Sequence, residues 1–251
     1  MRARVLPDLE ALAEAAAREF ADAAQRAIAL RGRVLVALAG GSTPIRMYES
    51  LASTPLRNSL EWRQVEFFWS DERAVPPEHP ESNYGMACRT LLVPLGIEDA
   101  QVNRMVGESP DLDRSAREYE AVLVDRAGMP PVLDLVLLGI GADGHTASLF
   151  PGTAAPAEAS RWVVASRGPG STSGRLTLTF PTILAARQIM VLVAGVDKAE
   201  AVRLAMKGEP FTALPAQRLQ DAGSRVAWFL DAAAARLTSD SGLSIPTTEA
   251  E

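Results

Sequence analysis

Short, continuously apolar runs recur along this chain, separated by longer stretches with helical spacing. Leu135-Val136-Leu137-Leu138 is the clearest run: no polar residue interrupts it, which predicts a strand covered on both faces in a parallel sheet. Val34 to Ala39 reads as a short buried strand, and Val65 to Trp69, Ile189 to Ala194 and Val226 to Leu230 also predict strands. Trp162 to Ser166 and the alternating Arg175 to Phe180 predict further strands, the latter with one exposed face, and Val102 to Met105 predicts a short one. Between them lie helical patterns. Leu12, Ala16, Phe20, Ala23, Ala27 and Leu30 fall at three- and four-residue steps in residues 8–30, ended by Gly32, and Leu112, Ala116, Tyr119 and Leu123 do so in residues 111–126. Asn83 to Leu92, Pro181 to Ala186, Pro215 to Gln220 and Asp231 to Leu237 are also expected to be helical. The repeated strand–helix order predicts an α/β fold: a doubly wound, mainly parallel, Rossmann-like sheet flanked by helices.

At 251 residues, with no linker or internal repeat, the chain is expected to form one domain over residues 1–237, and the polar, aperiodic residues 238–251 a disordered tail. Hydrophobic residues make up 47% and charged residues 22%, and the 25 basic against 31 acidic side chains leave a net charge of −6, so nucleic acid is not an expected partner. The N-terminus lacks the apolar core of a signal peptide and no run approaches a membrane span, so a cytoplasmic protein without membrane contact is expected. The single cysteine, Cys88, excludes an internal disulfide and a multi-cysteine zinc site; it reads as a buried, inert thiol.

Candidate chemistry sits where strands end. After Leu138 come three glycines, 139, 141 and 144, and among them one carboxylate, Asp143, and one imidazole, His145. Gly40-Gly41-Ser42-Thr43-Pro44 outlines a phosphate cradle, in which Ser42 or Thr43 caps a helix whose N–H groups face one point. Ser70-Asp71-Glu72-Arg73 again puts charge at a strand's end, and Gly195-Val196-Asp197-Lys198 starts a helix with Asp197 as cap. Lys198 then occupies a first turn, a poor place for a cation unless an anion lies nearby. Strands of one parallel sheet share a direction, so these four segments are predicted to gather at one edge. Asp71, Glu72, Asp143 and His145 lack the close ligand spacing of a metal site, and the glycines at 139, 141 and 144 lie too late in the chain, without the following helix and acidic residue, for a dinucleotide fingerprint. His79, among prolines and acids, reads as solvated.

The segments GGSTP (40–44), SDERAVPPEHPESNYGMA (70–87), DLVLLGIGADGHTASLFPG (134–152), RLTLTFP (175–181) and AGVDKAEA (194–201) resemble, in order, the motifs of the 6-phosphogluconolactonases, within the glucosamine-6-phosphate isomerase/6-phosphogluconolactonase family. The resemblance implies hydrolysis of 6-phospho-D-glucono-1,5-lactone to 6-phospho-D-gluconate, a carboxylic ester hydrolysis and the second step of the oxidative pentose phosphate pathway, without metal or organic cofactor. It implies His145 as general base, a task suited to a side chain whose ordinary pKa is about 6.5. Asp143 would either orient the imidazole or pair with Arg73, and Arg73 would hold either the substrate or the loop around it. Gly41, Ser42 and Thr43 would bind the phosphate, with Arg175 and Lys198 as cationic partners. The expected partner is the small sugar-phosphate lactone, and the expected state a monomer. Two rivals stand beside this. A deaminase of the same fold would use Asp71 to abstract a carbon-bound proton, but its ring-opening glutamate would fall at Leu149 or Phe150 and its tyrosine at Arg73. A sugar-phosphate-sensing regulator would carry a basic helix-turn-helix, and none is visible.

Overall fold

A computed structural model of the chain describes residues 2–206 and 214–238. In order, the elements are β1 (Arg2–Leu6), α1 (Leu9–Arg31), β2 (Val34–Leu38), α2 (Ser42–Ala52), β3 (Val65–Trp69), β4 (Asp71–Arg73), α3 (Asn83–Ala87), α4 (Val93–Leu95), α5 (Leu112–Ala127), β5 (Leu135–Leu138), β6 (Val163–Arg167), β7 (Gly174–Leu178), α6 (Phe180–Ala185), β8 (Gln188–Val193), α7 (Ala199–Met206), β9 (Val226–Asp231) and α8 (Ala232–Ala235). Six strands form one parallel sheet in the order β1-β9-β8-β5-β2-β3, with helices packed against it. Every residue of β2, β5 and β9 is buried, as their apolar runs require.

Several details depart from the sequence pattern. A second, antiparallel sheet, β4-β7-β6, stands apart from the first, so the strand Arg175–Phe180 does not extend the parallel sheet and ends at Leu178. Its expected wet face is dry at Thr177, which is fully buried and takes a hydrogen bond from the Ser148 N–H at 3.1 Å. Residues 71–73, expected only as charge at the end of the preceding strand, form the strand that joins the two sheets. Ser70 is bonded to Leu38 through both its N–H and its hydroxyl, and its carbonyl accepts from Leu178 N–H at 2.8 Å. Val102 makes only an isolated bridge to Phe67, and no strand forms over 102–105. β1, unpredicted, is an edge strand that exists because β9 offers it a parallel ladder.

The helix over 83–92 passes from α3 into a π turn at Cys88–Leu92. Cys88 is a free thiol and is half-buried, not buried. α1 buries Ala24 in place of Ala23, and Leu30, assigned to its inner face, is 76% exposed, because the 3.6-residue period has carried it round to solvent by the last turn. Asp8 caps α1 by accepting from Ala11 N–H at 2.9 Å. Thr238, placed in the tail, is buried and bonded to Ala235; residues 239–251 lie outside the described residues. Among the described residues no helix is long and apolar enough to cross a membrane.

Candidate active site

The carboxyl ends of β2, β3, β5 and β8 open onto one cleft of about 340 Å³. Gly41, Ser42, Thr43, Arg73, His145, Arg175 and Lys198 all line it, which brings together seven of the eight residues singled out from the sequence. Asp143, the eighth, lies behind His145 instead of on the wall.

The cradle is held by its own helix. Tyr48, buried on α2, donates its hydroxyl to Ala39 C=O at 2.9 Å and accepts from Ala39 N–H at 3.0 Å, tying the helix to the end of β2. The N-cap of α2 is Gly41, not Ser42 or Thr43, and among the described residues no side chain caps the helix. Its first-turn N–H groups therefore have no side-chain acceptor, and that turn carries no carboxylate. The positive end of the helix is available to an anion in the cleft.

Arg73 and Arg175 stand directly opposite one another on β4 and β7. Neither has a carboxylate within ion-pair distance among the described residues. Arg73 donates through Nη1 to Glu81 C=O at 2.7 Å, and its buried Nε has no hydrogen-bond partner; Arg175 donates to Ser173 Oγ and Gly174 C=O. Burial first, and then the Arg73 charge, hold the Arg175 pKa below its usual value. Arg73 thus ties down the loop over 74–82 and does not pair with Asp143.

Lys198 departs from the expected cap. Gly195 is the N-cap of a 3₁₀ turn, Val196–Lys198, and Asp197 turns sideways to pair with Lys198 at 3.0 Å. The anion that a first-turn lysine wants is therefore its own neighbour, so the misplaced charge alone does not imply a ligand. The turn is set by Asp231 at the end of β9. Its carboxylate accepts Gly195 N–H at 3.0 and 3.2 Å and Ala234 N–H at 2.7 Å, joining the Lys198 turn to α8.

Asp143 Oδ1 lies 2.5 Å from His145 Nδ1 and also accepts the His145 N–H at 3.2 Å. Partial burial pushes the Asp143 carboxyl up, but the His145 N–H, charge and ring outweigh it, and the pKa falls below the usual carboxylate value. Facing an ionised carboxylate, Nδ1 carries the proton, which leaves Nε2 as the free basic nitrogen. Phe150 packs against the ring, centroids 4.6 Å apart. Gly141 allows the pair to exist, since a β-carbon there would overlap both His145 Nδ1 and Asp143 Oδ1. Thr146 Oγ1, bonded to Gly139 C=O at 2.9 Å, closes the turn.

Asp71 and Glu72 part company although they are adjacent. Glu72 turns inward and accepts from Arg73, Asn83 and Tyr84 N–H and from Ser82 Oγ, which caps α3. Asp71 lines the cleft beside Ser148, a residue the sequence did not single out. Among the described residues no three His, Cys, Asp or Glu side chains are grouped to hold a metal. His79, exposed, accepts from Glu81 N–H within its own loop.

The cleft holds one oriented imidazole and a set of cations and helix N–H groups at the ends of parallel strands. The family described as glucosamine-6-phosphate isomerases/6-phosphogluconolactonase matches residues 7–228. The 6-phosphogluconolactonase of Synechocystis sp. is 40% identical over 212 residues, 82% of this chain and 85% of its own. That of Mycobacterium tuberculosis is 38% identical over 244 residues, 94% of this chain and 98% of its own. The solved 6-phosphogluconolactonase of Trypanosoma brucei superposes with a TM-score of 0.85 at 32% identity, over 94% of this chain and 97% of its own. Fold, cleft and sequence agree, and the chain belongs to the glucosamine-6-phosphate isomerase/6-phosphogluconolactonase family.

Proposed function

We propose that the protein hydrolyses 6-phospho-D-glucono-1,5-lactone to 6-phospho-D-gluconate. The observation that carries this reading is the Asp143–His145 pair in the same cleft as two arginines without carboxylate partners. The phosphate dianion neutralises Arg73, Arg175 and Lys198 and receives the N–H groups of Gly41, Ser42 and Thr43. His145 Nε2 takes a proton from a water molecule as its oxygen attacks the lactone carbonyl. The tetrahedral intermediate then collapses, the bond to the ring oxygen breaks, and the imidazolium returns the proton to that oxygen. Asp143 keeps the imidazole in the tautomer with Nε2 free and stabilises the imidazolium between the two transfers. Water is the nucleophile and imidazole the base, so the scheme calls on no cofactor.

The names of the similar proteins support the lactonase branch of the family over the deaminase branch. So do two side chains: Leu149 is fully buried and Phe150 packs on His145, leaving no carboxylate where the ring-opening glutamate would stand. With a diffusible sugar phosphate as substrate, the protein acts in the cytoplasm. Its rate of 6-phosphogluconate formation should exceed spontaneous lactone hydrolysis, and His145→Gln should lower kcat about 10²- to 10⁴-fold with little change in KM. Equal turnover by the wild type and His145→Gln removes the base assignment. Ammonia release from glucosamine 6-phosphate, without lactone hydrolysis, replaces the whole reading with the deaminase.

A further inference from the structure

The wall of the cleft is rich in donors and poor in acceptors. Guanidinium, ammonium and helix N–H groups suit a phosphate, but a lactone ring also carries hydroxyl groups at C2, C3 and C4, and each needs an acceptor once water is displaced. Among the described residues lining the cleft Asp71 is the only carboxylate, and it is 7% exposed.

Its position is held from both ends of the site. Ser148, three residues beyond His145, donates its hydroxyl to Asp71 Oδ2 at 2.6 Å. Asn83 donates its amide to Asp71 Oδ1 at 3.1 Å and to the Asp71 carbonyl at 2.8 Å, and lies so close to Gly40 that a β-carbon there would overlap Asn83 Oδ1. One neighbour of the carboxylate therefore belongs to the base's loop and the other touches the phosphate cradle. Ser148 is itself fixed to the second sheet, with its N–H on Thr177 Oγ1 and its carbonyl accepting from Ser166 Oγ at 2.7 Å.

We infer that Asp71 is a specificity-determining residue, accepting hydrogen bonds from the ring hydroxyls of the bound lactone. The inference rests on the lactonase reading above. An ionised carboxylate offers about four lone-pair directions, and the protein fills one on each oxygen of Asp71, so acceptor capacity remains on a group lining the cleft. A substrate whose phosphate sits in the Ser42 cradle and whose carbonyl meets His145 lays its ring across the interval between them, where Asp71 stands. Arg73, two residues along the same strand, and Arg175 on its partner β7 supply the positive surroundings that a buried carboxylate needs.

The test compares 6-phosphogluconolactone with its 2-, 3- and 4-deoxy counterparts as substrates for the wild type, Asp71→Asn and Ser148→Ala. In the wild type, at least one deoxy lactone should lose about tenfold to a hundredfold in kcat/KM, the loss of a hydrogen bond to a charged acceptor. In Asp71→Asn that penalty should collapse toward one, because the parent lactone has lost the same bond. In Ser148→Ala, which keeps the carboxylate but frees one oxygen from its holder, the penalty should shrink in part. An Asp71→Asn protein that slows on every lactone alike, keeping the wild-type ratio, overturns the inference. If Asp71→Asn does not fold, an unchanged ratio in Ser148→Ala overturns it. A wild type that hydrolyses all four lactones equally well removes the role of Asp71 and leaves the lactonase reading intact, whereas a wild type inert toward the parent lactone removes that reading first.

Discussion

Asp143 and His145 are two residues apart, yet they meet only because residue 141 has no side chain. Gly141→Ala would force the imidazole and the carboxylate apart, so it should cost nearly as much turnover as the loss of His145, while substrate still binds through the cations of the cleft. A kcat within a few-fold of wild type, which is about 1 kcal/mol in barrier, would mean the pair is not needed. The carboxylate also links the site to acid stability. Because the Asp143 pKa is depressed in the folded protein, its contribution is present above the unfolded carboxyl value of about 3.9 and is lost as pH falls through the folded value. Asp143→Asn should therefore be slightly less stable than wild type near pH 7, and the gap should close below about pH 4 in denaturant titrations at both pH values. With the Asp143 side chain 49% exposed, screening keeps that gap under about 1 kcal/mol. These two residues were legible from sequence, as one carboxylate and one imidazole among glycines after a buried strand. Their hydrogen bond was not, since the spacing left pairing of Asp143 with Arg73 equally open.

Strand ends carry the site, and carboxylates buried between elements aim those ends. Asp231 belongs to β9 yet governs Lys198, through the Gly195 turn it holds.

 
Asp231→Ala removes the acceptor for both Gly195 and Ala234, so it should lower stability by roughly 2 kcal/mol and raise KM more than it lowers kcat. Denaturant titration and steady-state kinetics check the two halves, and an unchanged KM would detach Lys198 from phosphate binding. At this scale the sequence was legible where burial is two-sided: Leu135–Leu138 and Val65–Trp69 are strands over the residues expected. It was less so for the antiparallel sheet. Asp71–Arg73 is too short and too charged to read as a strand, and Thr177 alternates as if wet although the neighbouring Ser148 loop covers it. A short polar strand takes its identity from its partners, and those lie about a hundred residues away along the chain.

For the whole molecule, one copy supplies the imidazole, the helix N-terminus and the three cations that the proposed reaction uses, and we propose that a monomer is active. The protein should sediment as a monomer of 26.8 kDa with full lactonase activity; activity that falls on dilution, along with a larger species, would show that a second copy is required. The net charge of −6 opposes an anionic substrate only weakly at long range, since fields beyond about 10 Å are screened at 0.1 M salt, and the local cluster of Arg73, Arg175 and Lys198 decides binding.

The amino-acid order alone determined the parallel sheet, most of its helices and the strand ends at which ligands gather, because two-sided burial and the helical period leave a direct mark on which residues are apolar. It also pointed to Gly41, Ser42, Thr43, Arg73, Asp143, His145 and Lys198 at strand ends, and the resemblance to the family added Arg175. Only the tertiary structure decided how they pair: His145 with Asp143, Lys198 with Asp197, Arg73 across from Arg175, and Asp71 with Ser148. The reason is physical. A periodic pattern reports how deeply a residue is buried, whereas a hydrogen bond depends on which partner the fold brings within about 3 Å, and residue type alone does not encode that distance.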